Sequence, residues 1–218
     1  EESPLNENLI YAGTDDGVLS ITHDAGKTWQ MLKTFPGIPE YTYISCILAS
    51  KHDENTVYVS FDNHQRDDFK SYVLMSRDKG KTWKSISSNL PERGTVHSLE
   101  QDHVTPGLLF AGTEFGIFFS LDGGNEWVQL KEGIPTIPVM DLGIQKREND
   151  LVLATFGRGF YILDDYTPLR SLAQNKSILE SESYIFNVPD ALMYLQTGGK
   201  YGQGATLFTA PNPAFGAC

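Results

Sequence analysis

Apolar positions along this chain fall into short runs separated by turns rich in glycine and aspartate. The clearest stretch is Leu108–Leu130, LLFAGTEFGIFFSLDGGNEWVQL. Two apolar runs, Leu108–Ala111 and Gly116–Ser120, flank Gly-Thr-Glu-Phe. A tight turn, Leu121-Asp122-Gly123-Gly124-Asn125, then leads to Trp127 and a third short run. Short β-rich runs broken by Gly/Asp turns predict an antiparallel meander. The pattern occurs earlier at Leu9–Leu32 and, lengthened, at Thr56–Ile86. A fourth copy, LVLATFGRGFYILDD at Leu151–Asp165, lacks the turn and the tryptophan. The chain is built on an internal repeat.

The turn glycines Gly26, Gly80 and Gly124 are 54 and 44 residues apart. A period of that size with four short strands per unit predicts an all-β fold of β-propeller blades. An extra strand precedes each later copy, at Tyr43–Ala49, Val96–Gln101 and Val139–Gln145. Four blades are expected over residues 1–165, at about 1–34, 43–88, 95–131 and 138–165. The first enters at Leu9 with its second strand, so its innermost strand is expected to be missing. That start predicts a piece of a larger ring. Thr167-Pro168 predicts a short helix, with proline at its first position. Tyr184–Val188 is expected to form a closing strand within 166–197, and 198–218 reads as a Gly/Pro-rich linker or tail.

The formal charge of −11 argues against nucleic acid as a partner, since a phosphate-binding surface needs a basic field, and against anionic membranes. No run approaches the ~20 apolar residues of a membrane span, so membrane insertion is not expected. Cys46 in an apolar run and Cys218 make no disulfide framework. The five histidines lack zinc-site spacing, and no G-x-S-x-G or P-loop is present. No metal or cofactor is implied, although Asp67-Asp68 could contribute to a calcium site.

The turns THDAGKTW (22–29) and SRDKGKTW (76–83) fit S/T-x-D-x-G-x-T-W, and SLDGGNEW (120–127) departs only at Glu126. Asp24, Asp78 and Asp122 can accept backbone amides within their own turns. Gly26, Gly80 and Gly124 would supply a positive φ, and Trp29, Trp83 and Trp127 would be largely buried apolar plugs. These turns resemble Asp-boxes, the bacterial neuraminidase repeat. The resemblance implies a structural role on the rim opposite any catalytic mouth. A sialidase would also need clustered arginines, whereas the six here are scattered. The wider wording over about residues 3–172, including ILDD-x-TPLR, is similar to sortilin-like and xyloglucanase-like propeller repeats of large exported bacterial proteins. That likeness implies an extracytoplasmic location (periplasmic, cell-surface or secreted) and further blades or domains as partners. Relatives of this kind include hydrolases, a chlorophyll-complex assembly factor and sorting receptors, so architecture is implied far better than activity.

The turns between second and third strands would lie on the opposite rim and carry Asp15, Asp16, His64, Arg66, Asp67, Asp68, Glu114 and Arg158. Only the second blade has an insertion there, FDNHQRDDF, and an inserted polar loop on a rigid scaffold is a place for function. One reading is a carboxylate-rich rim for a glycan, a peptide or a cation. The other is solvated turns, with Arg158 pairing a rim carboxylate such as Glu114. The expected function is a non-catalytic binding or scaffolding module. The alternative is part of a xyloglucanase-like glycoside hydrolase, with two carboxyl groups as acid and base.

Overall fold

The computed structural model describes residues 1–188, which form four antiparallel sheets. Sheet one holds β1 (Glu2–Ser3), β2 (Asn6–Gly13), β3 (Leu19–Thr22) and β4 (Gln30–Leu32). Sheet two holds β5 (Tyr43–Ala49), β6 (Val57–Asn63), β7 (Asp68–Ser76) and β8 (Lys84–Ser85). In sheet three β9 (Val96–Gln101), β10 (Leu109–Thr113), β11 (Gly116–Ser120) and β12 (Val128–Leu130) follow the same order. Sheet four has three strands, β13 (Val139–Gln145), β14 (Asp150–Thr155) and β15 (Gly159–Leu163). Helix α1 (Thr167–Gln174) comes next, with Pro168 in its first turn and the Asp165 side chain accepting the Thr167 amide at 3.2 Å.

The sheets stand side by side, with β9 packed between β5 and β13. Side chains alternate across each strand, so an inner sheet buries both faces and needs apolar residues at consecutive positions. Sheet three shows this. Leu109, Ala111 and Phe118 join Tyr58, Val73 and Met75 of sheet two. Leu108, Phe110, Ile117 and Phe119 join Val139, Leu151 and Leu153 of sheet four. On sheet four's open side Phe160 is 74% and Ile162 59% exposed.

Three expectations need correction. Sheet one does have an innermost strand, since β1 pairs with β2 and the Tyr11 amide donates to the Glu1 carbonyl at 2.8 Å. A two-residue Glu-Ser strand carries no apolar alternation by which to be seen. Of the tryptophans only Trp127 is buried, at 3% exposure; Trp83 is half-buried and Trp29 is 42% exposed. Two of the indoles pack towards the preceding sheet: Trp127 joins Ile86 and Met75 of the sheet-two region, and Trp83 lies edge-on to Phe35, 5.6 Å away. Among the described residues no sheet precedes sheet one, so Trp29 has nothing to enter. Finally, Tyr184–Val188 forms no strand. Its β-favouring residues record a preference for a half-buried pleated surface, which is no substitute for a ladder partner.

Residues 1–182 form one compact unit. In the second, the Tyr184 ring lies edge-on to Phe186 at 5.0 Å. The stretch 198–218, with Cys218, lies outside the described residues. Cys46 is partly buried, and burial pushes its thiol up to about 11.

Candidate functional site

Among the described hairpins the β6–β7 connection is the one that contains a helical turn. It runs through a 3-10 turn at His64–Arg66 and then Asp67, whose φ is 59°. The Asp67 amide donates to the His64 carbonyl at 3.1 Å and closes the turn. Aspartate tolerates this left-handed conformation better than most residues. Asp62, almost solvent-free, accepts the His64 amide at 2.9 Å and His64 Nδ1 at 2.7 Å. Asp68 accepts the Tyr72 hydroxyl at 2.7 Å and the Asn63 amide group at 3.1 Å. Burial works to raise the Asp68 carboxyl, but these bonds and the Lys70 amide outweigh it and hold it below the usual value. The same environment pushes Tyr72 up to about 12.

Three clefts surround this hairpin. A cleft of about 210 Å³ towards sheet one is lined by Asp15, Asp16, Tyr41, Tyr43, His64 and Arg66, among others. Arg66 donates to the Glu40 carbonyl at 2.6 Å and lies over the Tyr41 ring, 5.6 Å from its centroid. A second cleft, about 440 Å³, opens towards sheet three between His64, Phe69, Arg93, His97, Glu114 and Phe115. Outside the hairpin a third, of about 710 Å³, is bordered by Asp67, Asp68, Ser71 and the connector up to Arg93.

The candidate residues are thus divided. Asp16, His64 and Arg66 meet in the first cleft, His64 and Glu114 share the second, and Asp67 and Asp68 border the third. Arg158 is exposed in the β14–β15 turn and borders none of the three. The alternative Arg158–Glu114 pair does not form; Glu114 instead takes His97 Nε2 at 3.0 Å within its own sheet. Sequence reasoning missed Tyr41, Tyr43, Phe69, Arg93, His97 and Phe115. Tyr41 and Arg93 sit on the proline-containing connectors that end on this rim, which was the available signal.

The opposite rim is occupied by the three D-x-G turns. The Thr22, Ser76 and Ser120 hydroxyls accept the Gly26, Gly80 and Gly124 amides at 2.9, 2.8 and 2.8 Å. Asp24, Asp78 and Asp122 accept the amides of Thr28, Thr82 and Glu126 at 2.8, 2.8 and 2.9 Å. The Thr28 and Thr82 hydroxyls complete the first two turns, each at 2.6 Å, and with the amides hold Asp24 and Asp78 down at about 2. Glu126 has no hydroxyl, and Lys176 takes that place on Asp122 at 3.0 Å. A Cβ on Gly80 would fall 2.3 Å from Ile21, and one on Gly124 2.7 Å from Ile86, so these glycines also permit close sheet contact. On the same rim Asp102, with no exposed surface, accepts the Tyr166 hydroxyl at 2.6 Å and Arg170 at 2.7 and 2.9 Å. The YTPLR phrase is therefore the anchor of α1.

Antiparallel meanders set side by side about their inner strands define a partial β-propeller. Three solved structures show the likeness. It is similar to the GH74 enzyme of Niastella koreensis, with a TM-score of 0.60 and 14% identity, covering 76% of this chain and 28% of the enzyme's. YCF48 bound to D1 peptide gives a TM-score of 0.57 and 16% identity over 75% of this chain and 50% of that one. The extracellular domain of BT4673 from B. thetaiotaomicron gives 0.56 and 14%, over 74% and 20%. The chain spans half or less of each, and at these identities the likeness carries the fold alone. No protein-family model and no curated protein matches the chain. None of the described helices is long and apolar enough to cross a membrane.

Proposed function

We propose that the chain is a non-catalytic β-propeller binding module that presents the clefts around the β6–β7 hairpin to a ligand. The observation that carries this reading is the state of the hairpin's carboxylates. Asp62 is engaged by His64 and Asp68 by Tyr72 and Asn63, while Asp68 is held below the ordinary carboxylate range. A glycosidase acid needs the opposite, a carboxyl kept protonated near neutral pH. Exposed rings at the cleft mouths, Tyr41, Tyr43, Phe69 and Phe115, suit contact with a ligand. The peptide in the YCF48 structure supports a protein segment as ligand, and the GH74 enzymes support a glycan.

The self-contained turns support their assignment as Asp-boxes, and with it an extracytoplasmic setting. The exposed Phe160–Ile162 face of sheet four is where we place a further blade, because the corresponding faces of sheets one to three are each covered by the next sheet. The experiment is to screen the folded chain against displayed peptides and a glycan array, with a Tyr43→Ala/Phe115→Ala double variant as control. Capture lost in the double variant, with no product from xyloglucan, is the expected result. Xyloglucan hydrolysis that disappears in Asp67→Asn or Asp68→Asn, or no ligand sensitive to the double variant, overturns the reading.

A further inference from the structure

The cleft of about 440 Å³ between the β6–β7 hairpin and the β10–β11 turn has an amphipathic lining. Phe69 and Phe115 border it and remain 37% and 42% exposed. The Arg93 guanidinium stands over the Phe69 ring, 4.8 Å from its centroid. Among the described residues no carboxylate pairs with it. Stacking holds the cation in place while its fork of N–H donors stays open, a geometry that matches a carboxylate's two oxygens. His64 Nδ1 is occupied by Asp62, and no partner within the described chain takes Nε2. Glu114, the one acidic residue of the lining, is bonded to His97 at 3.0 Å.

The backbone here is already committed. The Gly94 amide donates to the Phe69 carbonyl at 2.8 Å, the Gly94 carbonyl accepts the Ser71 hydroxyl at 2.6 Å, and the Thr95 carbonyl accepts the Glu114 amide at 3.0 Å. Few groups remain for the many hydroxyls of a sugar. One charge-specific group beside two apolar rings is a simpler match: an anion next to an apolar side chain.

We propose that this cleft is a carboxylate site for an acidic peptide segment, with the carboxylate on Arg93 and the adjoining apolar side chain against Phe69 and Phe115. The proposal rests on the reading of this rim as a binding face and gives its ligand class. The probes are N-acetylphenylalanine and its neutral amide, titrated into the folded chain and followed by nuclear magnetic resonance of the cleft residues. Tetragalacturonate, a carboxylate from a sugar source, is the third probe. The acid is expected to bind at least tenfold more tightly than the amide, a difference that Arg93→Gln abolishes. Glu114→Gln, which removes the opposing charge, is expected to tighten acid binding about threefold. The pentapeptide Gly-Gly-Gly-Glu-Phe should shift the same resonances, and tetragalacturonate should not. Equal affinity for acid and amide, an unaffected difference in Arg93→Gln, or preference for tetragalacturonate overturns the carboxylate-peptide proposal while leaving a binding rim in place. Absence of any shift at the cleft overturns the proposal, and if the library screen is also empty the rim reading falls with it.

Discussion

On the rim of the D-x-G turns, aspartates are engaged within their own turn or on a neighbouring element. Asp24 and Asp78 each take an amide and two hydroxyls, and Asp102 takes Tyr166 and Arg170. On the hairpin rim the polar groups are engaged less regularly, and Arg93 and the exposed rings of Phe69 and Phe115 stay open. Both rims are made by the same meander. The difference teaches that a saturated turn lends stability and leaves nothing to offer a ligand, whereas an interrupted one leaves groups free for recognition.

The largest expected contrast lies among the tryptophans. Trp127→Ala should cost about 3–5 kcal/mol, because it removes a buried ring whose Nε1 also donates to the Ile86 carbonyl at 2.7 Å. Trp29→Ala, at the equivalent position, should stay within about 0.5 kcal/mol. Urea unfolding of both variants measures this, and equal losses would mean that the turn itself, and not the neighbouring sheet, sets the value of the indole.

Next comes the buried ion pair. Arg170→Ala leaves Asp102 charged and without its partner and should cost about 3 kcal/mol. Arg158→Ala, on the other rim, should leave the melting temperature unchanged.

Acid should act through the turn rim as well. The bonds to Thr28 and Thr82 hold Asp24 and Asp78 at about 2; burial opposes the same shift in Asp102, but Arg170 and Tyr166 outweigh it. Folded-state values below the ordinary carboxylate value mean that the ionised form is favoured by folding. Their stabilisation is full above about pH 4 and is lost as pH falls towards 2. The melting temperature should drop over that window, and Asp78→Asn should flatten the drop. A slope unchanged in that variant would show that the turn carboxylate is not its source.

The smallest effect belongs to the hairpin rim. Phe115→Ala should change stability by no more than about 0.5 kcal/mol, since the ring is 42% exposed. A larger loss in urea unfolding would make Phe115 part of the core and erase the contrast between the rims.

Much of the fold was legible in the sequence because its signals are local. Runs such as Leu108–Ala111 and Ile117–Phe119 are apolar at every position, which is what a strand covered on both faces needs. β1 was not legible, being two residues without an apolar side chain, paired to β2 through the backbone. The insertion at His64–Asp68 was visible as a break in the repeat. Its clefts were not, because Tyr41, Arg93 and Phe115 arrive from connectors and from other turns.

The three D-x-G turns mark the boundary between what the sequence determines and what the tertiary structure decides. Their internal bonds are nearly identical, since donor and acceptor lie within eight residues of one another and any chain with these side chains can close them. The fates of their tryptophans differ, from 42% exposed at Trp29 to 3% at Trp127. Burial needs a second surface, and whether a sheet lies alongside is a property of the assembled arc that no eight-residue motif contains.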